Sequence, residues 1–283
     1  MKKPPLVISI QSQVVFGHVG NSAAIFPMQA AGLEVAAIPT VLFSNTPHYP
    51  TLRGCPTPPE IFADLLTGAD ERGLPARASF VLSGYIGSVE VARMAARFVA
   101  GAKAANPGLR YICDPVMGDT GPGLYVPPEI AAIMRADLLP QADLATPNQF
   151  ELGWLTGLDI HTLADLHRAR QRLNMSPQAL LIATGCKLDD TPEGMIESVI
   201  LSEQGETRHP TPYLPIFLSG TGDLYTGLLT AGLGGGAAPA QAVEQAQRLT
   251  ALALKRARDL GAKEVVLSDP AFRRALLELS PPE

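Results

Sequence analysis

Little in this chain marks a secreted, membrane-bound or nucleic-acid-binding protein. Its three cysteines, Cys55, Cys113 and Cys186, are odd in number and widely spaced. That excludes a disulfide framework or a metal-like cysteine pairing and fits reduced thiols in a cytoplasmic setting. Positive charge is sparse: the net charge is −5, and the densest basic run is the loose Lys255, Arg256 and Arg258. A nucleic-acid surface is therefore not expected. No stretch approaches the roughly 18 uninterrupted apolar residues of a membrane span. Met1 to Pro5 leads into a short apolar strand, not into the longer apolar region of a signal peptide. The signatures of common nucleotide enzymes are missing too. There is no Walker A lysine motif and no kinase glycine-rich loop followed by a strand lysine. Gly232, Gly234 and Ala237 fit a dinucleotide fingerprint in spacing alone, since no strand precedes them.

What is present is a globular composition, 46% hydrophobic and 17% charged over 283 residues, enough for one α/β unit spanning 1–283. Short β-branched runs at Leu6–Ile10, Val35–Thr40, Phe80–Ser83, Tyr111–Cys113, Leu180–Ala183 and Val265–Leu267 read as buried strands. Between them, helical patterns cover Ser22–Ala31, Pro59–Glu71, Ser88–Ala105, Pro127–Leu138, Leu163–Leu173, Asp223–Leu233 and Pro239–Leu260. This alternation predicts right-handed βαβ crossovers and a mostly parallel central sheet flanked by helices on both faces. Met195–Ser202 and Thr207–Thr211, joined by Glu203–Glu206, predict a small β-hairpin. Ligands in such sheets bind beyond the carboxyl ends of the strands, and polar, glycine-rich segments gather there: Gln11–Asn21, Phe43–Tyr49, Ser83–Tyr85, Asp114–Tyr125, Thr146–Glu151 and Thr184–Gly185.

The run Gly220-Thr221-Gly222-Asp223 opens the predicted helix that carries Leu224, Leu228 and Leu229. A helix N-terminus offers unpaired N–H groups and partial positive charge to a phosphate-like anion, and glycine lets such a ligand approach the backbone. An aspartate there repels the anion unless it has a task, such as taking a proton from a hydroxyl that attacks phosphorus. As an ordinary aspartate, ionised at neutral pH, Asp223 needs no unusual pKa for that. The alternative is a plain first-turn acid. Asp114-Pro115-Val116-Met117-Gly118-Asp119-Thr120-Gly121-Pro122-Gly123-Leu124-Tyr125 follows a strand and reads as a mobile loop and lid. Asp114 and Glu151 could share a hydrated Mg²⁺, which takes one or two carboxylates plus substrate phosphates. Equally, Asp114 could stabilise a turn, and Asn148 and Glu151 could cap a helix. Ser12 and His48 could hydrogen-bond a polar small molecule, with Phe16, Phe43 and Tyr85 as an apolar wall, though all are also natural structural residues.

Taken in order, these segments resemble the ribokinase-like superfamily and, within it, the vitamin B6 kinases, nearest the bacterial group that acts on pyridoxine, pyridoxal and pyridoxamine. The matching runs are Gln11–Ser22, Pro39–Tyr49, Gly84-Tyr85, Asp114–Asp119, Thr146–Glu151 and Gly220–Leu224. The resemblance implies ATP-dependent phosphorylation of the 5′-hydroxymethyl group of a B6 vitamer. It implies Asp223 as the base and the amides of Gly220, Thr221 and Gly222 as the anion hole. Ser12, Val19, Phe43, His48 and Tyr85 would surround the pyridine ring. Asp114, Thr146, Asn148, Thr184, His209, Pro210, Thr211, Pro212 and Gly222 would serve the nucleotide. Asp114, Asp119, Tyr125 and Glu151 would serve Mg²⁺. A monovalent cation such as K⁺ and a homodimer with a complete site in each subunit belong to the same expectation. Leu124 stands where pyridoxal-restricted bacterial relatives carry a lid cysteine, and Thr46-Pro47-His48 matches the broad-specificity group, which favours acceptance of all three vitamers. Ser219 replaces the lysine or apolar residue of relatives, so no basic role is carried over there. Two alternatives remain: a hydroxymethylpyrimidine kinase, and a catalytically idle B6-binding protein.

Overall fold

The computed structural model describes residues 3–279. In chain order the elements are β1 (Leu6–Phe16), α1 (Asn21–Ala30), β2 (Glu34–Asn45), β3 (Gly54–Pro56), α2 (Pro59–Glu71), α3 (Leu74–Arg77), β4 (Ala78–Ser83) and α4 (Val89–Ala105). Then come β5 (Arg110–Cys113), β6 (Gly118–Asp119), β7 (Gly123–Leu124), α5 (Pro128–Ile133), β8 (Leu144–Ala145), α6 (Gln149–Thr156), α7 (Leu163–Arg172) and β9 (Leu180–Cys186). The chain ends with β10 (Met195–Ser202), β11 (Gly205–Pro212), α8 (Thr221–Gly234), α9 (Pro239–Asp259) and α10 (Pro270–Leu277).

Nine strands form one sheet in the order β11-β10-β9-β8-β5-β4-β1-β2-β3. The stretch from β9 to β2 is parallel, and β3, β10 and β11 run antiparallel to their neighbours at the two margins. The expected hairpin is β10–β11. It extends the sheet, while a second, two-stranded pair, β6–β7, stands apart.

Strand side chains alternate between two cores, as the pleat requires. Leu6, Ile8, Ile10, Val81 and Tyr111 join a cluster with Phe62, Val91, Val99, Ile130, Leu152 and Leu166 from α2, α4, α5, α6 and α7. Val7, Phe80, Leu82, Ile112 and Ile182 join the opposite cluster with residues of α1, α8, α9 and α10. α8 is the central helix of that second layer; from Asp223 to Leu233 every residue is buried. Gly227 permits this closeness, because a Cβ there would lie 2.8 Å from Ala24 Cα on α1.

Strand order reverses direction at β1, with β2 on one side and β4 on the other. Such a switch point opens a crevice at the carboxyl ends of the two strands. Gly84-Tyr85 follows the end of β4, and Ser12 lies in β1 just past its last pairing with β4 at Ile10–Ser83.

One expected strand is absent. Val265–Leu267 forms no ladder; it is an irregular segment between α9 and α10. Its apolar character comes from packing in the second core, where Val265 is 0% and Leu267 4% exposed. A buried apolar triplet fits either role, and length does not separate them.

Candidate functional site

Gly220 precedes α8 in the left-handed region, φ 83°, with no side-chain cap on the helix. The first amides of α8 are thus left to a ligand or water. A Cβ at Gly220 would lie 1.7 Å from the carbonyl oxygen of His18, so glycine is required there on both counts. At Gly222 a Cβ would meet nothing within 4 Å; this residue faces open space. Thr221 is fixed by its hydroxyl, which donates to the Leu218 carbonyl at 2.8 Å.

Asp223 sits in the first turn of α8 and is 7% exposed. Its Oδ1 has no hydrogen-bond partner. Burial pushes its pKa above the ordinary carboxylate range, against the backbone N–H of Gly20, which favours the charge. The expectation of an unperturbed aspartate is therefore corrected, and the cause is desolvation within the helix layer. Gly20 also abuts β1: a Cβ on it would come within 2.2 Å of Ser12 Oγ. Ser12, Gly20 and Asp223 are one neighbourhood, assembled from β1, the turn into α1, and α8.

Asp114 follows β5, 4% exposed, and its Oδ2 accepts the Thr226 hydroxyl at 3.0 Å. Thr146 Oγ1 lies 3.3 Å from the same Thr226 hydroxyl. Burial, and then the Asp223 charge, push the Asp114 pKa up to about 7. Glu151 is buried as well, and burial, then the charge on Asp114, raise it well above the usual range. Asn148 and Glu151 form a reciprocal cap on α6: Asn148 Oδ1 accepts the Glu151 N–H at 2.8 Å, and Glu151 Oε2 accepts the Asn148 N–H at 2.9 Å. Glu151 Oε1 accepts the Met117 N–H at 3.0 Å, and Asn148 Nδ2 donates to the Gly118 carbonyl at 2.9 Å. Capping and site placement are the same set of bonds. They also anchor the lower part of the Asp114–Tyr125 loop, whose outermost residues are the exposed Thr120, Gly121 and Pro122.

Tyr125, 45% exposed, closes the loop with its N–H donating to the Met117 carbonyl at 2.9 Å. Burial raises its phenol, and the charges of Glu151, Asp119, Asp223 and Asp114 push the same way. Asp119 is partly exposed and accepts the Thr120 N–H at 2.7 Å. Among the described residues no three His, Cys, Asp or Glu side chains form a direct metal-ligating set.

Thr184 bridges to Asn148, with its N–H donating to the Pro147 carbonyl at 2.9 Å, so β9 and the Thr146–Asn148 segment meet at the rim. His209 lies on β11 with its ring buried against α9, Nδ1 3.4 Å from Glu244 Oε1 and its carbonyl accepting from Gln247. Pro210 and Pro212 are exposed and Thr211 is partly so.

Among the residues expected to surround the acceptor, Phe43 on β2 pairs with Val14 on β1, and the Tyr85 carbonyl accepts Thr40 Oγ1 at 2.6 Å. Val19, Phe43 and Tyr85 are all partly buried. His48 Nδ1 lies 3.1 Å from Thr46 Oγ1, and its Nε2 lies 3.6 Å from Glu264 Oε1. Sequence reading missed Glu264, a carboxylate just before the Val265–Leu267 segment taken as a strand. No local motif marks it; its partners lie more than 200 positions away.

A family model described as phosphomethylpyrimidine kinase matches residues 76–268. Pyridoxal kinase PdxY of Deinococcus radiodurans is 41% identical over 231 residues, 80% of this chain and 78% of that protein. The pyridoxine/pyridoxal/pyridoxamine kinase of Bordetella avium is 39% identical over 274 residues, 95% and 92% of the two chains. The solved structure of pyridoxal kinase from Leishmania donovani in complex with ADP and pyridoxine superposes with a TM-score of 0.86 at 29% identity, covering 96% of this chain and 94% of that one. With a family model over residues 76–268 and relatives of this kind over most of its length, the chain belongs to the phosphomethylpyrimidine kinase family, among its pyridoxal kinases.

Proposed function

We propose that this protein is a vitamin B6 salvage kinase that transfers the γ-phosphoryl group of ATP to the 5′-hydroxymethyl group of pyridoxal, pyridoxine and pyridoxamine. One observation carries the mechanism: the buried Asp223 carboxylate, with Oδ1 unpartnered, beside uncapped helix amides and one glycine from Ser12. Asp223 accepts the hydroxyl proton, the hydroxyl oxygen bonds to the γ-phosphorus, and the bond to the β–γ bridging oxygen breaks as ADP leaves. The amides of Gly220, Thr221 and Gly222 stabilise the charge on the moving phosphoryl group. A raised Asp223 pKa strengthens it as a base once ionised.

Ser12 and His48 hold the polar edge of the ring, and Val19, Phe43 and Tyr85 pack around it. Thr146, Asn148, Thr184 and the His209–Pro212 segment, through its outer residues, line the nucleotide. A divalent cation fits the Asp114–Glu151 side, because after burial the Asp223 charge raises the Asp114 pKa and the Asp114 charge raises that of Glu151, so these buried carboxylates need positive charge to ionise together. Both Glu151 oxygens already accept backbone N–H groups. Asp114 would therefore face Mg²⁺ most directly, with Glu151, Asp119 and Tyr125 reaching it through water, in keeping with an ion that retains several waters. Bound there, Mg²⁺ would neutralise the polyphosphate.

A cytoplasmic location suits three free thiols; among the described residues no helix is long and apolar enough to cross a membrane. Exposed Val15, Phe16, Leu42 and Leu52 along the β1–β3 margin support a homodimer, to be checked by sizing in solution. The family description favours one second reading, hydroxymethylpyrimidine as acceptor. Coupled measurement of ADP formation with each vitamer and with the pyrimidine decides. Turnover on the vitamers at least about tenfold above the pyrimidine is expected, in the range a shaped pocket discriminates. A preference for the pyrimidine overturns the acceptor, and tight vitamer binding without ADP formation overturns the kinase.

A further inference from the structure

Glu264 lies in the irregular stretch between α9 and α10, fixed by the buried Val265 and Leu267 on its C-terminal side. Its carboxylate is 12% exposed and reaches two loops of the acceptor end at once. From the turn after β1, the His18 N–H donates to Oε2 at 3.2 Å. From the turn after β2, the Thr46 hydroxyl donates to Oε1 at 2.6 Å. His48 Nε2 approaches Oε1 at 3.6 Å, and the Tyr49 hydroxyl also bonds this carboxylate. The fit is close: a Cβ on Gly17 would lie 2.7 Å from Oε1, in a residue already at φ 97°.

Two consequences follow from these contacts. The His48 ring has Thr46 of its own loop at 3.1 Å from Nδ1, while the Glu264 carboxylate faces Nε2 at 3.6 Å without hydrogen-bonding it, so the ring is placed partly from outside its loop. The His18 peptide is held by Glu264 at its N–H while its carbonyl oxygen lies against Gly220. One carboxylate thereby ties the acceptor loops to each other and to the start of the helix that bears Asp223.

We propose that Glu264 is a positioning residue for the acceptor: it holds His48 and the His18–Val19 turn in the geometry that receives the vitamer, without touching phosphate. This rests on the placement of the vitamer between Ser12 and His48. The protein contributes the residue from a segment distant in sequence from every other acceptor-side group.

The test is steady-state kinetics of E264Q and E264A, varying pyridoxal and ATP separately, with thermal melts of both. E264A should raise KM for pyridoxal about tenfold or more, the loss of roughly 1.4 kcal/mol, while KM for ATP stays within about twofold, a change too small to signify a lost contact. E264Q keeps an oxygen for the Thr46 hydroxyl but meets the His18 N–H with its own amide, so its effect should be intermediate. An unchanged pyridoxal KM in E264Q and E264A overturns the proposal, as does a parallel rise in both KM values with a lowered melting temperature, the mark of a loosened fold. If E264A does not fold, E264Q decides by the same criteria. H48A and S12A run alongside: if they raise the pyridoxal KM and the Glu264 variants do not, Glu264 alone loses its role. If none of the four moves it, the placement of the vitamer falls, and the Glu264 role with it.

Discussion

At the phosphate end, Asp114, Glu151 and Asp223 are buried close enough to raise one another's pKa or to be raised by burial, and among the described residues no Lys, Arg or His side chain bonds them. At the acceptor end, Glu264 is nearly as buried, yet it is enclosed by the donors of His18, Thr46 and Tyr49. At the first end three carboxylates gather with one Asp223 oxygen left unpartnered, whereas at the second a single carboxylate has a protein donor on each oxygen. The difference fits what each end is to receive. The cation that accompanies a polyphosphate brings compensating charge, whereas a ring alcohol held by its polar edge depends on groups set in place before it arrives.

The largest way to break this contrast is D223N. It should lower kcat by about 10²–10⁴-fold, the usual reach of a general base, with the vitamer KM little changed; coupled ADP formation measures both. Full activity would remove Asp223 from the chemistry. Next comes a pair of glycine substitutions two residues apart. G220A forces a Cβ onto the His18 carbonyl in a left-handed conformation, a strain of about 1–3 kcal/mol or more, and should lower the melting temperature and activity together. G222A meets no protein atom, so the melt should stay put while kcat falls, because the new methyl enters the space given to the phosphoryl group. Equal melting losses in the two variants would dissolve the distinction between a packing glycine and a ligand-facing one.

The smallest effect sharpens the electrostatic side. Asp114 is pushed up to about 7 from an ordinary 3.8. Across that window the folded state holds more protons than the unfolded one, so ionised Asp114 costs stability increasingly as pH rises from about 4 to 7 and fully above it. D114N removes this cost and should melt higher than the parent at pH 8, by a few degrees at roughly 2–4 °C per kcal/mol. The gain should shrink toward pH 4, and scanning calorimetry at the two pH values checks it. A gain that is flat with pH would mean that the aspartate is not buried as an acid.

How far the sequence could be read follows from the range of the interactions involved. The helix Pro59–Glu71 appears with its expected bounds because Pro at its start and an apolar periodicity are local facts. Expected strands Leu6–Ile10 and Val35–Thr40 continue as far as Phe16 and Asn45, since β1 and β2 keep pairing past a register shift between Gln11 and Gln13. The polar rim residues that looked like loop are thus the last rungs of the ladder. Two-residue β8 has too little sequence to show a period, and it exists because β5 and β9 flank it. The glycine-aspartate motif and the Asn148–Glu151 cap were legible for the same local reason. Glu264 was not, because nothing nearby in the chain distinguishes a surface glutamate from one that three distant donors enclose.

The meeting of His18 with Gly220 also bears on the order in which the molecule comes into being. Synthesis delivers the chain from its N-terminus, and early segments can begin folding before later ones exist. Ser12, the His18 turn and the Thr46–His48 loop are made first, yet their neighbours across the site are Gly220, Asp223 and Glu264. A growing chain therefore carries an unclosed acceptor crevice, with the Gly17 turn lacking its carboxylate, for most of its elongation. Such distant pairings are the slow ones to form. A nascent chain halted short of residue 264 would hold His18 and Thr46 without the carboxylate that ties their two turns together.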